Sequence, residues 1–137
     1  MAHFKRIEPG TFGWQDDRGW GIRPFNAIDP SLKSSLNLHV VSMKPGSVRG
    51  NHCHTTGTEW LLVCGGPATI AWRKINEDES GETVVNGQEP AFFEIPPNVA
   101  HAVLNTSDEE IYLVAMDDAH EADTVRFSTL LEPIEKK

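Results

Sequence analysis

His52-Cys53-His54 is followed by a carboxylate at Glu59, and the stretch is bracketed by Gly46 and Gly66. In an extended strand the side chains at i and i+2 share a face, so His52 and His54 project together while Cys53 points away. Once the chain turns before Glu59, two imidazoles and a carboxylate can meet at one divalent metal ion. A fourth donor stands further along, after Pro96-Pro97-Asn98-Val99-Ala100, at His101. The two prolines end one strand, and His101, Val103 and Asn105 then alternate onto one face of the next. Each histidine alone would be an ordinary strand residue. Together, His52, His54, Glu59 and His101 are the expected ligands of a divalent transition metal: Zn, Fe, Mn, Ni or Cu, at about 2.0 to 2.2 Å. Four protein ligands around an octahedral ion leave two positions for water or substrate.

The elements that must carry these residues read as strands. Apolar runs are short, rich in Val, Ile, Trp and Phe, and bounded by Gly, Pro, Asn or Asp, the pattern of an antiparallel all-β domain. Strands are expected near Gly21–Phe25, Leu36–Lys44, Gly50–His54, Thr58–Cys64, Ala68–Lys74, Glu82–Val85, Ala91–Ile95, His101–Asn105, Glu110–Met116 and Thr124–Phe127. Turn chemistry separates them at Lys44-Pro45-Gly46, Gly65-Gly66-Pro67, Asn76 to Gly81, Asn86-Gly87 and Pro96-Pro97-Asn98. If Glu59 points inward, so do Leu61 and Val63, and Trp60, Leu62 and Cys64 point out. That outward row is too apolar for free solvent and needs a cover: another sheet, the N-terminal segment, or a partner subunit in a homodimer. Residues 1–35, with Phe4, Phe12, Trp14, Trp20 and Phe25, read as an arm packed on the barrel or the partner, 36–128 as the barrel, and 129–137 as a charged tail expected to fray.

At 137 residues with a formal charge of -8, the chain has the size of one domain with its own core. Its scattered bases argue against nucleic-acid binding, which relies on Lys and Arg displacing counterions from phosphates. Cys53 and Cys64 are too few for a disulfide framework, and Cys64 is expected opposite the region of Arg49 rather than Cys53. Residues 1–20 hold no apolar run, so the expectation is a cytoplasmic protein without membrane span or signal peptide.

Gly46 to Gly66 fits Gly, five residues, His-x-His, four residues, Glu, six residues, Gly, and Pro96 to Asn105 fits Pro-x-Gly-x-x-His-x-x-x-Asn with Asn98 in the place of the glycine. These resemble the two motifs of the cupin family. Asn is a common substitute where φ must be positive. The resemblance implies a double-stranded β-helix, the jelly-roll barrel, with the four ligands turned into its cavity. Arg49-Gly50-Asn51-His52-Cys53-His54-Thr55-Thr56, Glu59, Ile95-Pro96-Pro97, Asp123-Thr124 and Phe127 also resemble the cupin domain of bacterial capsule-sugar enzymes that epimerise or reduce UDP-amino sugars. The Arg-Gly-Asn-His-x-His string is similar to one in nucleotide-sugar ketoisomerases. No counterpart of a reductase domain is read in this sequence.

Around the ligands, Arg49 and Asn51 are expected on the face away from the histidines, with Arg49 paired to a surface acid, unless a bulge at Gly50 re-aims them. His39 is placed on the face opposite Leu36, Leu38 and Val40 and read as a surface residue, His3 and His120 as solvated, and Cys53 as a packed small residue. Trp72, Tyr112, Met116 and Phe93 are candidates for the cavity wall. A metal with two free positions next to a hydroxy-ketone supports isomerase or epimerase chemistry on a small molecule such as a sugar. The same ligands around Fe support a dioxygenase, and a third reading is a non-catalytic binding module. No residue is assigned as a catalytic base.

Overall fold

The computed structural model describes residues 3–118, 124–126 and 129–134. Two five-stranded antiparallel sheets face each other. The first has the order β1 (Lys5–Ile7), β9 (Ala91–Ile95), β6 (Glu59–Cys64), β11 (Ile111–Asp117), β4 (Asn37–Met43). The second runs β12 (Thr124–Arg126), β5 (Val48–His54), β10 (Val99–Asn105), β7 (Ala68–Lys74), β8 (Ser80–Val85), and a separate hairpin joins β2 (Gly13–Asp16) to β3 (Gly19–Ile22). From β4 to β7 each strand joins the sheet its predecessor does not, which is the crossing of a jelly roll and the all-β fold expected from the sequence. It also corrects the placing of Cys64. Because β5 and β6 enter different sheets, Cys64 lies opposite Tyr112 on β11 rather than near Arg49, and the two cysteines form no disulfide.

Each sheet buries one face in a shared core. Leu61, Val63, Phe93, Ile95, Leu113 and Ala115 of the first sheet meet Ile70, Val85, Val99 and Val103 of the second. The outward row of the first sheet forms a second cluster, in which Trp60, Leu62, Phe92 and Met116 are covered by Ile7, Trp20, Ile22, Ile28, Leu32 and Leu36. The N-terminal segment is therefore what keeps Trp60 and Leu62 from water, and it also supplies β1, whose neighbour Phe4 stacks on Trp72 and Phe93. The strand expected at Gly21–Phe25 ends at Ile22 because Pro24, fixed in φ and without an N–H, opens a 3-10 turn. In the C-terminal segment expected to fray, Leu130 N–H donates to Asn51 Oδ1 at 2.8 Å and Ile134 N–H to the Gly46 carbonyl at 2.8 Å. His120 and Phe127 lie outside the described residues.

One irregularity decides which side chains enter the cavity. Along the β5–β10 ladder His52 faces His101, but the next pair is Gly50 with Ala102, leaving Asn51 as the extra residue of a bulge. Gly50 takes φ 107 and Asn51 φ 57. The bulge reverses the alternation, so Arg49 comes to the same face as His52, opposite Val103. A Cβ on Gly50 would sit 2.6 Å from the His101 carbonyl oxygen. Gly50→Ala is expected to destabilise the protein by about 3 kcal/mol through positive-φ strain and this backbone clash. The urea midpoint should fall at unchanged slope; a loss under about 0.5 kcal/mol would contradict the bulge.

Candidate metal centre

The four donors come from both sheets. β5 supplies His52 and His54, β10 supplies His101, and Glu59 reaches across from β6 of the first sheet. One donor atom from each of the four residues can be chosen so that all lie within 4.8 Å of one another. Ligands on one ion at about 2.1 Å stand about 3 to 4 Å apart, so shifts of a few tenths of an ångström close the shell. Glu59 Oε1 is 3.2 Å from His54 Nε2, and its Oε2 is 3.2 Å from His101 Nε2.

The backbone turns that deliver these rings follow from sequence. Asn98 adopts φ 64, the glycine-like conformation its place in the motif calls for. Its N–H donates to the His54 carbonyl at 2.7 Å, which fastens the start of β10 to the end of β5. Asn105, on the same inward face of β10, belongs to the framework: its Nδ2 donates to the Met43 and Glu109 carbonyls, and its Oδ1 accepts from Ser107.

Partners on the far side of the rings set which nitrogens face the cluster. The Val99 carbonyl lies 3.2 Å from His101 Nδ1, and Thr124 Oγ1 lies 3.1 Å from His54 Nδ1. When a metal binds, a proton held on Nδ1 in each case would leave Nε2 its lone pair for the ion, the arrangement metal-binding histidines adopt. Among the described residues, the buried Nε2 of His52 has no hydrogen-bond partner, and that of His101 has the Glu59 carboxylate 3.2 Å away. Buried polar nitrogens are normally satisfied, and here they lie beside a carboxylate. Burial, reinforced by the neighbouring His101 ring, pushes the His52 pKa down to about 4 against the pull of Glu59, so His52 is a neutral donor at neutral pH. Burial would raise the pKa of Glu59, but His101 and His54 together hold it below the ordinary glutamate value. A neutral His52 and an ionised Glu59 suit a divalent transition metal; the group could hold one.

His52, Glu59 and His101 form the polar end of a cavity of about 250 Å³, and His54 closes the cluster from behind. The rest of the lining is Val41, Leu61, Val103, Leu113, Ala115, Gly50, and two further polar residues, His39 and Arg49. Arg49 departs from the sequence reading, whereas His39 is exposed as that reading has it and also borders the cavity. Among the described residues Arg49 pairs with no acid; its Nη2 and Nε donate to the Ser42 carbonyl at 3.0 and 3.4 Å, holding the guanidinium at the cavity. His39 turns toward the cavity because the alternation on β4 runs the other way, with Leu38 and Val40 outward at 61% and 60% exposure. Of the wall candidates none lines this cavity. Phe93 lies deeper in the inner core, Trp72 stacks on Phe4, Met116 is under the N-terminal segment, and Tyr112 is 48% exposed on the outer face. Cys53 is buried, as expected for a packed residue, whereas His3 contacts Lys74 Nζ at 2.8 Å.

Comparison with known proteins places this geometry. Residues 27–125 match the sequence model of the family described as polysaccharide biosynthesis C-terminal domain. No curated protein matches the chain. CapF of Staphylococcus aureus, a capsular polysaccharide assembling protein, superposes with a TM-score of 0.62 and 29% identity, over 68% of this chain and 28% of CapF. The dTDP-6-deoxy-D-glucose-3,5-epimerase RmlC of Legionella pneumophila Philadelphia 1, seen with dTDP-4-keto-L-rhamnose, gives 0.68 at 15% identity over 93% of this chain and 79% of that one. Oxalate oxidase bound to glycolate gives 0.57 at 21% identity, over 67% and 46%. The last two likenesses concern the fold alone. The chain thus spans 28% of the length of CapF, and these neighbours have the jelly-roll fold of the cupins that the two motifs resemble.

The depressed groups give the metal-free protein a defined acid response. Folded His52 binds its proton near pH 4 and unfolded His52 near 6.5, so the unfolded chain takes up more protons between these values and stability falls as pH drops through that window. Glu59 acts in the same direction lower down, because the stability from its lowered pKa is present above its ordinary 4.5 and is lost below it. Denaturant titrations of chelator-treated protein should show stability declining from pH 6.5 toward 4, and His52→Leu should flatten the upper part. A flat profile across that range would contradict the burial of a neutral His52.

Proposed function

The chain belongs to the polysaccharide biosynthesis C-terminal domain family, and on that premise we propose that it is a divalent-metal-dependent epimerase or isomerase acting on the keto-sugar part of a nucleotide-linked sugar, with His52, His54, Glu59 and His101 as the metal ligands. The observation that carries this reading is the buried His₃Glu cluster at the end of a cavity whose other polar residues are few and defined. At about 250 Å³ the cavity suits one sugar ring, with the carrier left at the mouth. The relation to CapF, 29% identical over two-thirds of this chain, supports a saccharide substrate class.

When bound, the metal would supply Lewis acidity to the oxygens of a hydroxy-ketone, easing loss of the proton between them. The chain's own residues do the rest. His54 and His101 are oriented by Thr124 and the Val99 carbonyl, Leu61, Val103, Leu113 and Ala115 exclude water from the ring, and Arg49 offers its remaining N–H groups to a substrate oxygen. The proposal includes a cytoplasmic homodimer with residues 36–128 as the barrel. The outward strip of Leu38, Val40 and Tyr112, which the N-terminal segment leaves open, supports a dimer.

Protein purified without chelator should carry one transition-metal ion per chain by elemental analysis, and His52→Ala and His101→Ala should lose it. Thr124→Val should weaken binding about 10- to 100-fold by releasing His54. In D₂O the metal-loaded protein should exchange deuterium into a carbon next to the keto group of dTDP-4-keto-L-rhamnose, followed by NMR. Unchanged metal content in both His→Ala variants would sink the ligand assignment. O₂ uptake with redox-active Fe, or sugar binding without exchange, would replace the epimerase reading by a dioxygenase or a binding module. A monomeric mass by light scattering at micromolar concentration would contradict the dimer.

A further inference from the structure

An epimerase or isomerase must move a proton, and the four metal-binding residues are committed to the ion. Among the described residues that line the cavity outside the metal group, His39 is the one whose side chain both accepts and donates a proton. It sits on β4, across the cavity from the second sheet, and its side chain is 53% exposed, so one ring can touch both a ligand in the cavity and water at the mouth. Its Nδ1 lies 3.9 Å from Asp117 Oδ2. Asp117 closes β11, opposite His39's neighbour Asn37 on one side and opposite Glu59 on the other, and is itself buried. The Asp117 carboxylate lies on the Nδ1 side of the ring, so Nε2 is the nitrogen left for the ligand. Arg49, the other polar side chain of the lining outside the metal group, carries a permanent charge and cannot serve as a base.

We propose that His39 is the catalytic residue that moves the substrate proton, with Asp117 as its positioning residue; the inference rests on the epimerase reading above. The C–H bond beside the keto group breaks, its proton forms an N–H bond at His39 Nε2, and its electron pair passes to the carbonyl oxygen. The electron pair then returns to the carbon, which takes a proton from water on its other face, while His39 gives its proton to water at the mouth. Charge and atoms balance without any oxidant, reductant or co-reactant beyond water.

The test is the deuterium exchange of dTDP-4-keto-L-rhamnose by the metal-loaded protein, with metal content measured in parallel. His39→Gln and His39→Ala are expected to slow exchange about 100-fold or more while keeping the metal of the parent protein. Added imidazole should partly restore His39→Ala, a response that a merely structural role would not give. Asp117→Asn should slow exchange less than His39→Gln, and Asp117→Glu should recover part of the loss. Exchange at the parent rate in His39→Gln, or a loss in His39→Ala that follows metal loss and ignores imidazole, would overturn the role of His39 while leaving the metal site standing. No exchange in the metal-loaded parent protein would overturn the epimerase reading and this inference with it.

Discussion

The contact between Glu59 and the imidazoles of the opposite sheet is the constraint on which the rest of the molecule depends. Three of the four donors rise from neighbouring strands of one sheet, and a single carboxylate reaches them from the other. A carboxylate taken out of water needs compensation close at hand; Glu59 finds it in Nε2 atoms at 3.2 Å on each of its oxygens. Both sheets must therefore hold a fixed separation at the cluster. The apolar contacts beside it, Leu61 and Ala115 against Val103, set that spacing and at the same time form the wall of the cavity.

Seen from this cluster, the remaining elements act as support for one sheet or the other. The N-terminal segment covers Trp60, Leu62, Phe92 and Met116, so the strand that carries Glu59 is buried on both faces. On the second sheet, the bulge at Gly50 and Asn51 turns Arg49 into the cavity, and the Asn51 side chain holds the backbone of Leu130 and Leu131 against it. One irregular residue thus links the C-terminal segment, the strand of His52 and His54, and the cavity lining. His54 is steadied by Thr124 from the short β12, which pairs with β5.

Much of this was legible in the residues. The i, i+2 pairing of His52 and His54, the turn at Asn98 and the inward set of Glu59, Leu61 and Val63 follow from strand periodicity and from what asparagine tolerates at positive φ, and the structure has them so. Periodicity does not say which of two apolar faces is inside. On β4 Leu38 and Val40 alternate with His39 and Val41, and the more apolar pair is the one left outside, because the inner face at that edge borders a cavity rather than packed core. Nor does alternation survive a bulge: strict period two puts Arg49 on the outer face, and Gly50 marks the place where the bulge turns it inward. The cavity wall was misread for a related reason: Trp72, Phe93 and Met116 are apolar barrel residues, but each finds an aromatic or aliphatic partner elsewhere. β1 and β2 are too short to stand out from a polar segment.

The most direct measurement of the central claim is an anomalous-difference map from crystals of protein purified without chelator, recorded on either side of the metal's absorption edge. The account predicts one peak about 2.0 to 2.2 Å from Nε2 of His52, His54 and His101 and from a Glu59 carboxylate oxygen, with its open positions turned toward Arg49 and His39. A map without that peak, or with the ion held by other residues while these three rings and the carboxylate keep their present contacts, would contradict it.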